Sequence, residues 1–154
     1  MLFAHDTEAA LATAIALVNI GRNGEEGLPD VAALDRFEQD WRQPERRVHD
    51  QPELDAARQL RERLAGPWEM GVDEAATLVN ALLKDSNALP QLVKHGSCDY
   101  HIHASQPEAP LVAQMAAEVA MAFADVIQSG QFDRLRVCAA ADCNGVLVDL
   151  SRNQ

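Results

Sequence analysis

Apolar residues recur at helical spacing over most of the first 130 positions. Leu11, Ile15 and Val18 do so within an Ala/Leu-rich run from Asp6 to about Asn19, which predicts a first helix. Gly21-Arg-Asn-Gly24 and Gly27-Leu-Pro29 then form a loop, and Asp30 is placed to cap a second helix with Leu34, Phe37 and Trp41 on its apolar face. Asp50-Gln-Pro-Glu53 sets an acceptor at a cap, a proline in the first turn and a glutamate three positions on. It opens a third helix through Leu54, Ala57, Leu60 and Leu64, with Gly66-Pro67 as its stop. A fourth helix, from about Asp73, carries Ala76, Val79 and Leu83 on one side and fades at Asp85-Ser-Asn87.

The pattern then shortens. Leu89 to His95 and Tyr100 to Ala104 read as two strands joined by the turn Gly96-Ser-Cys-Asp99. Ser105-Gln-Pro-Glu108 has the form of a second capping box, opening the longest helix through Leu111, Met115, Val119, Phe123 and Val126 to Gly130. Leu135–Cys138 and Val146–Leu150 form a last strand pair around Ala-Asp-Cys-Asn-Gly. The expected class is α+β: a mainly helical body with a small antiparallel sheet, residues 1–132, then a C-terminal hairpin, residues 133–154.

A length of 154 residues suits one ordinary domain, and aromatic residues are only 5%, so Ala, Leu and Val must fill the core. The net charge of −11 repels phosphate backbones and anionic lipid, and argues against general nucleic-acid binding by the body. From Arg134 onward, three Arg face two Asp, so the acidity lies upstream of the hairpin. Three cysteines without a disulfide framework fit a reducing compartment. Asp6 and Glu8 stand where a secretory leader would be basic, and the apolar run Ala9–Ile20 is too short to span a bilayer. A cytoplasmic protein with no membrane partner is expected.

Two constellations carry chemistry. Cys138 and Cys143, with four residues between them on a tight turn, have a zinc-knuckle spacing, and Gly145 suits the turn; two separately buried thiols are the plain alternative. His101 and His103 share one strand face, which opens either a metal site or an ordinary hydrogen-bonded pair. Arg42, Arg46 and Arg47 beside Trp41 are surrounded by acids and read as a solvated, mutually paired face. Cys98 has no histidine at nucleophile spacing, and no catalytic residue is assigned.

The stretch Arg134-Leu-Arg-Val-Cys-Ala-Ala-Ala-Asp-Cys-Asn-Gly-Val-Leu-Val-Asp-Leu-Ser-Arg-Asn153 resembles the entry to a CGNR-type zinc finger. Tyr100-His-Ile-His103 ahead of a long Ala-rich helix, and Ala16-Leu-Val-Asn19 near the start, are similar to the ABATE domain of the same family. The resemblance implies a stress-induced bacterial transcriptional regulator that is not an enzyme. It makes Cys138 and Cys143 half of a zinc site whose other two ligands lie past Gln154, in a basic continuation through which DNA is contacted. It also makes the face of Tyr100, His101 and His103 a candidate pocket for a small-molecule effector, and Asp149 a residue that orients the rest of the finger. Two other classes stand beside this: a small metal-dependent or cofactor-free enzyme using His101 and His103, and a module that homodimerises through the helix Leu111–Ile127.

Two thiolates share out the binding energy of a four-ligand site poorly, so zinc is expected to be absent or weakly held by these 154 residues. Metal analysis should find well under one zinc per chain; one tightly held zinc, with no second chain or histidine completing the site, would contradict this.

Overall fold

The computed structural model describes residues 3–22, 24–41, 49–94 and 100–151. Among these residues, five α-helices and two separate two-stranded antiparallel sheets follow one another: α1 (His5–Asn19), α2 (Val31–Trp41), α3 (Gln51–Ala65), α4 (Val72–Asp85), β1 (Gln91–Val93), β2 (His101–His103), α5 (Leu111–Gln128), β3 (Leu135–Val137) and β4 (Val146–Val148). The α+β class holds.

Helix α5 is the axis of the core. Leu111, Met115, Val119, Ala120, Phe123 and Val126 form its buried face, and α1, α3 and α4 pack around it. By length and composition α5 is apolar enough to cross a membrane, but here it is the core helix of the bundle. Ala14, Ala117 and Ala120 are fully buried, and their small side chains let the helices approach closely where few aromatics exist to fill space. Trp68 stands edge-on to Phe123, with ring centroids 5.3 Å apart and planes at 77°.

Several local expectations hold for their stated reasons. Asp30 Oδ1 accepts from the Ala33 N–H at 2.8 Å, and Asp50 Oδ1 from the Glu53 N–H at 2.9 Å, so both caps form. Asn87 takes a left-handed φ of 52° just past α4, and Gly130 a φ of 68° past α5, the usual way to end a helix.

Others are corrected. The buried positions of α4 are Ala75, Val79 and Leu82, with Leu83 only partly covered; the face keeps Val79 as expected but runs through Ala75 and Leu82 in place of Ala76 and Leu83. Trp41 is 48% exposed instead of packed with Leu34 and Phe37. Gly66-Pro67 ends α3 as expected, at Ala65, and the chain then makes a 3-10 turn, Gly66–Trp68, that buries the tryptophan. Ser105-Gln-Pro-Glu108 is not the start of α5. A helix begun there would place Pro110 in its second turn, where the ring clashes with a carbonyl four residues back; α5 instead begins just after Pro110. Its first N–H, that of Leu111, is satisfied from outside by Glu53 Oε1 of α3 at 3.0 Å.

That glutamate belongs to a buried ionic knot. The His49 ring lies between Glu53 Oε2 on Nδ1 at 2.8 Å and Glu38 Oε2 on Nε2 at 2.6 Å, with Asp35 Oδ1 3.7 Å away. The knot joins α2, α3 and the start of α5. Burial opposes the imidazolium, but hydrogen bonds and charge from Glu53 and Glu38 outweigh it and raise the His49 pKa above its ordinary value. A pKa raised on folding stabilises the native state fully below the unfolded value of about 6.5 and loses that contribution as pH climbs through the folded value. Unfolding by urea should therefore show stability falling as pH rises above about 6.5, and the fall should be missing in His49→Gln; a parallel fall in the variant would contradict the assignment.

Candidate functional site

Two sites emerge, a cavity and a hairpin, and the same two helices reach both.

The cavity, about 800 Å³, lies between the N-terminal half of α1 and the C-terminal half of α5, with the β1–β2 hairpin as its third wall. In that hairpin Leu92 pairs with Ile102 and Val93 with His101. Strand alternation turns His101 and His103 the same way, as the sequence suggested, and their Nε2 atoms stand 3.1 Å apart with ring centroids 4.9 Å apart. One nitrogen must donate and the other accept. Among the described residues no group of three His, Cys, Asp or Glu side chains is arranged to hold a metal. Tyr100, His101 and His103 all line the cavity, so the structure gathers the residues proposed for an effector pocket. It adds ones that the sequence gave no signal for: from α1, Asp6 and Thr7; from α5, Glu118, Met121 and Asp125. Thr7 Oγ1 donates to Asp125 Oδ2 at 2.9 Å, tying the two helices together across the cavity floor. Trp41, missing from the core, stands at the cavity wall. His95, Cys98 and the Arg42, Arg46, Arg47 cluster fall outside the described residues.

The C-terminal hairpin pairs Leu135 with Val148, Arg136 with Leu147 and Val137 with Val146. Beyond the last pair, the Cys138 N–H donates to the Gly145 carbonyl at 2.7 Å and the Cys143 N–H to the Ala140 carbonyl at 3.0 Å. This closes a tight turn between the two cysteines, and hydrogen bonding from the Ala140 backbone and the Cys143 thiol holds the Cys138 pKa below the ordinary thiol range. Cys138 is half-buried and Cys143 exposed. A Cβ at Gly145 would lie 3.4 Å from both the Cys143 sulfur and Asn19 Oδ1, an ordinary contact, so the turn does not depend on the glycine. A backbone N–H aimed at a sulfur, with the second sulfur alongside, fits one edge of a tetrahedral thiolate site.

Strands of three residues do not hold a hairpin together alone, and side chains of the body secure this one. Asn19, the last residue of α1, donates Nδ2 to the Val146 carbonyl at 3.0 Å and accepts the Val146 N–H on Oδ1 at 2.7 Å, imitating a neighbouring strand. Arg22 donates to the Asn144 carbonyl at 2.7 Å while paired with Glu69. Trp68 Nε1 donates to the Leu147 carbonyl at 2.9 Å. Buried Arg134 donates to the carbonyls of Asp149 and Ser151, each at 2.9 Å. The Asp149 carboxylate accepts the Ser151 N–H at 2.9 Å and so shapes its own turn.

Residues 11–130 match the ABATE family, whose description reads "Putative stress-induced transcription regulator". A search of the curated proteins finds no match.

Asn19→Ala removes both bonds to Val146 and leaves two backbone groups without their partner. It should lower the unfolding free energy by about 1–3 kcal/mol in a denaturant titration. A loss below about 0.5 kcal/mol, within the range of ordinary surface substitutions, would mean that the hairpin is held by other contacts.

Proposed function

The chain belongs to the ABATE family, and from that premise we propose that it is the effector-responsive body of a bacterial transcriptional regulator, acting in the cytoplasm on the chromosome. The cavity takes a small-molecule effector, and its volume is in the range of such sites. Cys138 and Cys143 hold one side of a zinc ion whose remaining donors come from residues further along the polypeptide. Zinc at such a site is structural: it fixes the finger and supplies no reaction. DNA is contacted through that basic continuation, because the acidic body repels phosphate.

The observation that supports this most is the shared use of α1 and α5. Both line the cavity, and both lead directly into the cysteine hairpin, α1 through Asn19 and α5 through the 3-10 turn Phe132–Arg134 that opens β3. An effector that favours a different spacing of the two helices shifts the segment Asn144–Val146, gripped by Arg22 and Asn19, and with it Cys143. Regulation then rests on the effector's unequal affinity for the two arrangements.

Transcript profiles of cells carrying the wild-type protein, Cys143→Ser, or Ala9→Trp test this. Ala9 lines the cavity from an exposed position on α1, so a tryptophan there can occupy space without overpacking the core. Both variants should alter the same set of transcripts. Disjoint sets, or no change with Cys143→Ser, would contradict the proposal.

A further inference from the structure

The described lining of the cavity is acidic: Asp6 from α1 and Asp125 from α5 bring carboxylates to it, beside Glu118, which has an interaction of its own, and among the described lining residues there is no lysine or arginine. We propose that the cavity takes an organic cation with an apolar body: an ammonium or amidinium group carried on an aliphatic chain or ring. This rests on reading the cavity as the effector site and names the class of effector.

Asp125 is the anchor. Its carboxylate is half-buried, and the Thr7 hydroxyl fixes it through Oδ2. Among the described residues no donor takes Oδ1 and no cation pairs with this carboxylate, so the Thr7 hydroxyl orients the charge without neutralising it. A charged hydrogen bond offered there is among the stronger polar contacts a partly desolvated site can make. The rest of the wall suits a greasy body: alanines of both helices, Met121 and Ile102. Two aromatic rings, Trp41 and Tyr100, border it, and such rings attract cations to their faces. Tyr100 already does so within the protein, with the Lys94 ammonium 5.3 Å from its centroid.

An anionic ligand fares worse. The positive end of the α1 helix dipole opens onto this cavity, but Asp6 and Glu8 in the first turn already answer it. The overall charge of −11 adds long-range repulsion for anions and attraction for cations.

Calorimetric titration of the whole chain with octylammonium, octanoate and octanol, at about pH 8 where ordinary imidazoles are neutral and a primary ammonium keeps its charge and its N–H donors, separates the cases. The expected result is one ammonium bound per chain, at least about tenfold tighter than either other probe, and weakened about tenfold by Asp125→Asn, as for loss of one favourable charge contact. Asp73→Asn, an equal charge change at the exposed start of α4 and away from the cavity, should alter the affinity by less than about twofold. Octanoate or octanol binding as tightly as the ammonium, and competing for the cavity, would overturn the cation class while leaving an effector site in place. Equal weakening by Asp73→Asn and Asp125→Asn would reduce the effect to general attraction and overturn the proposal. Binding of none of the three would overturn it together with the effector-site reading.

Discussion

A single carboxamide at the end of α1 completes the ladder of a hairpin 127 residues further along the chain. Asn19 offers β4 one donor and one acceptor, the pair that a neighbouring strand would supply, and both go to Val146. Two strands of three residues do not stay folded in water by themselves, so the cysteine turn has a defined shape because the helical body gives it one. Arg22, Trp68 and Arg134 work in the same way: each spends side-chain hydrogen bonds on hairpin carbonyls. The thiols of Cys138 and Cys143 are thereby presented on a rigid base, which a metal site needs if its geometry is to be set before the ion arrives.

The same constraint links the hairpin to the cavity. Helix α1 has its first turns at the cavity and its last residue on β4, and α5 runs from the Glu53 contact, past the cavity, to the turn before β3. A helix is stiff along its axis, so a displacement at one end is carried to the other. At its N-terminal end α5 is fixed to α3 and the His49 knot, and Thr7 and Asp125 join it to α1 near the far end. Around that bond lies the cavity, an open space whose third wall is a short, two-stranded sheet.

Much of the fold was legible. Period and caps located all five helices, because Asp30 and Asp50 act through local geometry that sequence spacing encodes directly. The errors arose where a distant group decided the outcome. Pro110 moved the start of α5 past a plausible capping box, and the orphaned first N–H was then met by Glu53, 58 residues away. Trp41 had the right period for the core and lies at the cavity wall instead, since periodicity says which residues share a face and not what covers it. The cysteine spacing and the histidine pair pointed to their positions; Asn19 drew notice only as part of a family-like segment, and its partner could not be inferred. Asp125 and Thr7, ordinary on a helix surface by sequence, acquire meaning only when α1 and α5 are brought together.

Native-state hydrogen exchange at the amides of Val146 and Cys138 tests the central claim most directly, since one is bonded to the Asn19 side chain and the other closes the cysteine turn. If the hairpin is one cooperative unit with the body, both amides should exchange only through openings nearly as costly as those that expose the buried centre of α5. Exchange at close to the free-peptide rate, while α5 remains protected, would show a hairpin independent of the body and would break the link between cavity and thiols.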